Sequence, residues 1–201
     1  MEFTRSTRHF AMTVFVAALI FPLISMAGGT GATQNSNMPT GKNFITAAAN
    51  INLAEVELGK LAGQKGNNQA IKDFGKRMIA DHTQLESELQ SLAKSADVTL
   101  PSAAGANASS LKNQLSADSA SKFDDAYIEH MLAGHKQAIA MFENEIKHGQ
   151  NAEIKSYAEK ALPVIQDHIR IAEDVAGKMH LSGKLGLESP SKAISASASP
   201  A

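Results

Sequence analysis

Four stretches of this chain repeat apolar residues at spacings of three, four and seven, the periodicity of a helix with one buried face. From Phe44 to Lys65 the stripe is Phe44, Ala48, Ile51, Leu58 and Ala62, and Glu55 falls on the same seam. Gly66-Asn67-Asn68 breaks this run. A second run then places Ile71, Phe74, Met78, Leu85, Leu89 and Leu92 in line up to about Ala96, with His82 filling the gap in the stripe. A third, from about Ala120 to His148, carries Phe123, Ile128, Met131, Ile139, Phe142 and Ile146, with His135 between Met131 and Ile139. After a break at Gly149-Gln150-Asn151 the fourth runs to about His180 through Ile154, Tyr157, Ala161, Ile165, Ala172, Val175 and Met179, with His168 on the stripe and Pro163 placed to kink its early part.

Residues 97–119 hold Pro101, Gly105 and many Ala, Ser and Asn, without strong periodicity. They read as a long connection with room for a short helical stretch of its own. The pattern therefore predicts an all-α fold, a four-helix bundle of two helical hairpins joined by a long connection. If that connection runs the length of the bundle the arrangement is ferritin-like, and if it loops at one end the bundle is up-down-up-down. About 23 residues span either distance.

Composition agrees with a helical domain and removes several functions. Aromatic residues make up 5% of the 201 residues and Trp is absent. The 19 basic and 20 acidic side chains nearly cancel, so no basic field exists to gather nucleic acid, and none is expected as a partner. With no Cys there is no disulfide, thiolate metal site or nucleophilic thiol. No phosphate-binding glycine loop or Ser nucleophile elbow is visible either.

The ends of the chain differ from its middle. Arg5, Arg8 and His9 precede an apolar run from Phe10 to Ile24, and Ser25-Met26-Ala27 supplies the small residues of a signal-peptidase site. Residues 1–27 read as a cleaved signal peptide, because an apolar run of about 15 residues broken by Pro22 is short for a span that needs roughly 20. No stable membrane span is expected after cleavage, and the product would be periplasmic or secreted. Residues 28–42 read as a flexible linker, 43–181 as the bundle domain, and 182–201 as a disordered Ser-, Ala- and Pro-rich tail.

The candidate chemistry lies in Met78-Ile79-Ala80-Asp81-His82 of the second helix, set against Met131-Leu132-Ala133-Gly134-His135 of the third, with a fainter echo in Val164-Ile165-Gln166-Asp167-His168. In the first two, a Met lies one turn before a His on the same face. Glu55, His82, His135 and His168 each lie near the middle of their helix, so in either topology they meet at one height inside the bundle. Buried together they are either a mutually satisfied polar network, with Asp81 or Asp167 as partners, or a ligand set for one transition metal ion. Histidine with Glu55 would suit zinc, iron or manganese, whereas Met78 and Met131 as additional ligands would suit copper. Neither His82 nor His135 has the Glu-x-x-His spacing of di-iron bundles. His130, His148 and His180 read as peripheral, and Glu57, Glu86 and Glu129 as residues able to turn inward toward the ligands.

The segments Phe44-Ile45-x-x-Ala48-Ala49, Asn52 to Ala62, Met78-Ile79-x-Asp81-His82-Thr83, Tyr127-x-x-x-Met131-x-x-x-His135 and Ala161-Leu162-Pro163-x-x-x-x-His168 together resemble the exported bacterial family called domain of unknown function 4142. The resemblance covers about residues 43–178. It implies a ferritin-like bundle in the bacterial envelope and no established activity. The piece Phe123 to Ile139 is also similar to family of unknown function 305, which usually has a His-His pair where this chain has Gly134-His135. Three functions follow as alternatives: an envelope protein binding a metal or small ligand through the His/Glu cluster, in stress or metal handling; a metal-free structural or interaction module with an envelope partner; or a metal-dependent oxidase. Catalysis is the weakest of the three, because the sequence shows no open coordination position or substrate channel.

Overall fold

The computed structural model describes residues 38–181 and residue 185. The expected signal segment 1–27, most of the 28–42 linker and nearly all of the 182–201 tail lie outside the described residues. Within them the chain forms five α-helices and no strand: α1 (Lys42–Lys65), α2 (Gln69–Ser95), α3 (Ala106–Ala117), α4 (Ala120–His148) and α5 (Ala152–Lys178). Four of these begin and end within two residues of the expected helices. The fifth, α3, corrects the count of four. It forms inside the long connection, where Leu115 alone is buried among Ala, Ser and Asn, too little apolar surface to print a stripe. No described helix is long and apolar enough to cross a membrane.

The breaks read from the sequence are built as caps. Asn68 ends the first break and its side chain accepts from the Ala70 amide, while Asn151 accepts from the amides of Glu153 and Ile154. α1 starts at Gly41, with φ at 59°, and has no side chain of its own to cap it. Glu145 of α4 supplies the missing acceptor, taking the Gly41 N–H at 2.7 Å. At the other end Asp124 of α4 accepts from the amides of Asn67 (3.0 Å) and Asn68 (2.7 Å) in the α1–α2 turn. Asp124→Ala would remove the acceptor of both amides in a partly buried turn, at a cost of about 2 kcal/mol. A fall of roughly 5 °C in Tm is the expected result of a thermal melt.

These two pins set the topology. The start of α4 lies beside the end of α1, and the end of α4 beside the start of α1, so α4 runs antiparallel to α1 and parallel to α2. The connection therefore travels the length of the bundle instead of looping at one end. α3 climbs beside α1 as it does so: Gly105 lies near Asn50, Lys112 pairs with Glu57, and Lys65 donates to the carbonyls of Ser116 and Asp118. α2 packs antiparallel on α5, where Ser95 donates to Glu153 and the Tyr157 hydroxyl to the Leu85 carbonyl. α1 and α2 nearly touch, since a Cβ on Gly59 would lie 2.6 Å from the Gly75 carbonyl oxygen. α5 continues through Pro163, which sits on its exposed face.

The core is in two parts. One apolar cluster gathers Leu58, Ile71, Phe74, Met78, Phe123, Tyr127, Met131 and Val175, and the other Phe44, Leu85, Leu89, Phe142, Ile154, Tyr157 and Ile165. Along every long helix the boundary between the two falls on polar residues. Asn52 and Glu55 on α1, His82 on α2, His135 on α4 and His168 on α5 are all buried between them. The helix periodicity that builds the core thus delivers one polar layer at mid-height.

Candidate metal centre

His82, His135 and His168 each bring one ring nitrogen to a set whose members lie within 4.8 Å of one another. The ring centroids are 5.2 to 5.9 Å apart. The three rings are almost completely buried. Burial pushes all three imidazoles below their ordinary value: His82 well below, in company with the two neighbouring rings, His135 to about 4, and His168 despite the opposing pull of Asp81. The layer therefore holds neutral rings, each with one N–H and one lone pair.

Their partners assign which nitrogen carries the proton. His135 Nδ1 lies 2.8 Å from the Met131 carbonyl, which only accepts, so Nδ1–H donates and Nε2 keeps the lone pair. His168 Nε2 lies 2.9 Å from Asp81 Oδ2 and donates to it, leaving the lone pair on Nδ1. Burial works to raise Asp81, but hydrogen bonds from Arg77 and His168 outweigh it and keep the carboxyl below its usual range. His82 Nδ1 lies 3.1 Å from Asn52 Oδ1, and the Asn52 amide is oriented by donating its Nδ2 to Glu86 Oε2 at 3.1 Å. His82 Nδ1–H is therefore the donor, and its Nε2 is buried without a hydrogen-bond partner among the described residues.

Three lone pairs remain, on His82 Nε2, His135 Nε2 and His168 Nδ1, with no proton between them. His135 Nε2 and His168 Nδ1 face each other at 3.2 Å. Two lone pairs at that distance repel unless a proton or a cation lies between them, and burial disfavours the proton. For comparison, two nitrogens on one tetrahedral zinc are about 3.3 Å apart.

Of the other expected ligands, Glu55 lies outside the converging set, on the side of the His135 ring that faces the Met131 carbonyl. Its Oε1 is 4.0 Å from His135 Nδ1, and its Oε2 is buried without a partner. Burial raises its carboxyl to about 8. Tyr127 is buried nearby with its hydroxyl unpartnered, pushed well above the usual phenol value by burial and by the Glu55 charge. Met78 and Met131 are buried within the first apolar cluster, and what Met131 gives the site is its backbone carbonyl. Glu86 turns inward to Asn52, whereas Glu57 faces Lys60 and Lys112, and Glu129 is exposed. The sequence stripe missed Asn52 by placing Ile51 on the buried seam. Ile51 is half-buried and Asn52 fully so, one turn before Glu55 and on its face.

The family model described as Domain of unknown function (DUF4142) matches residues 26–175, most of the chain and all of the polar layer. The chain belongs to this family. No curated protein and no solved structure matched it. Membership carries no activity, so the chemistry of the layer is the guide to function.

Proposed function

We propose that this protein is an exported metal-binding bundle that holds one divalent transition metal ion on His82 Nε2, His135 Nε2 and His168 Nδ1, with Glu55 beside the ligand set rather than in it. The observation that carries the reading is the convergence of one nitrogen from each of three buried rings within 4.8 Å of one another, with an acceptor beside each ring at Asn52, the Met131 carbonyl and Asp81. Outer hydrogen bonds of this kind orient histidine ligands at metal sites, and here Asn52, the Met131 carbonyl and Asp81 fill that role. Three imidazoles, with no thiolate, favour zinc, iron or manganese over copper(I). We read the fold as ferritin-like, supported by the connection that runs the length of the bundle, with α3 as an addition to the four principal helices. Placement in the bacterial envelope rests on the basic, apolar and small-residue pattern of residues 1–27.

The direct test is the metal content of the untagged protein, followed by titration with Co²⁺, whose visible absorption reports coordination. One equivalent bound, with the intense bands of a tetrahedral nitrogen and oxygen site, is the expected result. A protein that is metal-free as purified and binds no Co²⁺, Zn²⁺, Mn²⁺ or Fe²⁺ would leave the layer as a structural network, and the interaction-module reading would take its place.

A further inference from the structure

The histidine layer is closed on most sides. Apolar clusters cap it above and below. α1 and α2 approach backbone to backbone at Gly59 and Gly75, and α3 packs along α1 and against α4. On the seam between α2 and α5, by contrast, polar groups lead outward in steps of increasing exposure. The His168 side chain is 0% exposed and the Asp81 side chain that it touches is 20% exposed. Asp167 on α5 is 34% exposed, and Arg77 on α2 is 49% exposed. Arg77 Nε donates to Asp81 Oδ2, and its Nη2 lies 3.7 Å from Asp167 Oδ2, so the guanidinium lies across the seam and covers both carboxylates.

We propose that the metal ion reaches the histidine layer through the α2–α5 seam by way of Asp81, and that Arg77 is the gate that closes this mouth. The proposal rests on the metal-site reading above. A hydrated cation approaching Asp81 meets a carboxylate already neutralised by Arg77. It must displace a flexible, half-exposed side chain held by an i,i+4 pair, an interaction weak enough to open and re-form. Once Arg77 swings aside, Asp81 is released from its guanidinium and presents its charge at the mouth, while Asp167 stays paired with Arg170. Asp81 Oδ2 is then in contact with the ring whose far nitrogen faces the layer. A second polar path leads outward from His82 through Asn52 to Glu86, but it passes through a neutral amide to a carboxyl that burial raises, and offers a cation less charge at each step.

The test is stopped-flow mixing of the metal-free full-length protein with Co²⁺, comparing wild type with Arg77→Gln, Arg170→Gln and Glu86→Gln. Arg170 pairs with Asp167 and Asp174 on the same face, and no bond joins it to Asp81, so its removal changes net charge equally and leaves the gate in place. Arg77→Gln should bind and release Co²⁺ about tenfold faster, with equilibrium affinity held within about threefold, and the acceleration should shrink as salt is raised. Arg170→Gln should follow wild type, and Glu86→Gln, which loosens the hold of Asn52 on His82, should keep the wild-type association rate whatever it does to affinity. Equal acceleration in Arg77→Gln and Arg170→Gln, an unchanged Arg77→Gln rate, or a rate controlled by Glu86 would each overturn the gate while leaving the histidine site standing. Failure of wild type itself to bind Co²⁺ would overturn both.

Discussion

Replacing any one of His82, His135 or His168 by alanine should weaken divalent-ion binding by at least roughly a hundredfold, beyond the range seen when only an outer partner of a ligand is lost. The same variants should lose the stabilisation that the ion gives the folded state. An ion at about a thousand times its Kd adds roughly 4 kcal/mol, worth on the order of 10 °C in the melting temperature of a domain this size. A melt with and without Zn²⁺ measures this directly. In wild type the two curves separate, and in each single variant the separation falls from about 4 kcal/mol to about 1.4 kcal/mol or less. Asp81→Asn should show an intermediate loss of about tenfold, because an amide oxygen still accepts from His168 Nε2 and keeps its tautomer but gives up the charge-assisted bond. Met78→Leu and Met131→Leu should leave Zn²⁺ affinity unchanged. If those two substitutions instead abolish binding of Cu⁺, the thioethers are ligands and the site is a copper site. If the histidine variants melt lower but Zn²⁺ shifts no curve, wild type included, the layer is structural.

What the sequence reveals of this fold follows from what each residue has to do. The four long helices were readable because each must bury a stripe at three-four spacing, and a His or Glu interrupting such a stripe has nowhere to go but the core. That is why His82, His135, His168 and Glu55 read as buried, and why their mid-helix positions put them in one layer. α3 was not readable as a helix, because it straps the outside of α1 and α4 and buries little beyond Leu115. The direction of the connection depends on the pins at Asp124 and Glu145, single acids that look like any solvated charge in a one-dimensional pattern. Asn52 was hidden by an apolar neighbour, Ile51, that fits the expected stripe better than the residue actually buried. The proton positions on the three rings could not be read at all, since they depend on which acceptor lies beyond each ring.

The buried Glu55 carboxyl gives the metal-free protein a distinctive pH profile. In the unfolded chain Glu55 ionises near its ordinary value of 4.5, whereas in the folded protein it holds its proton up to about 8. Between those values the folded state binds one more proton than the unfolded state at this residue, so its contribution to stability falls as pH rises and levels off above 8. The histidines act in the opposite sense. Their folded values lie below 6.5, so the unfolded chain takes up protons that the folded layer refuses, and stability rises with pH until they are neutral in both states. Three rings outweigh one carboxyl below 6.5, and once the unfolded rings have lost their protons Glu55 sets the slope, in the same sense as Glu86 and Glu145, whose carboxyls burial also raises. His135 and the Tyr127 hydroxyl, the groups nearest to Glu55, carry no charge in this window and give it no counter-ion. Urea denaturation in the presence of a chelator should therefore show greatest stability near neutral pH, with a net loss of less than about 1 kcal/mol by pH 8, because the last of the histidine gain offsets part of the Glu55 loss. Glu55→Gln should flatten the profile over that interval and be the more stable protein at pH 8. Bound metal should flatten it as well, because an ion beside Glu55 holds the carboxylate ionised in the folded state, and loading at pH 6.5 should release one proton from this residue. A Glu55→Gln variant that declines from neutral pH to pH 8 as steeply as wild type would place the titrating group elsewhere.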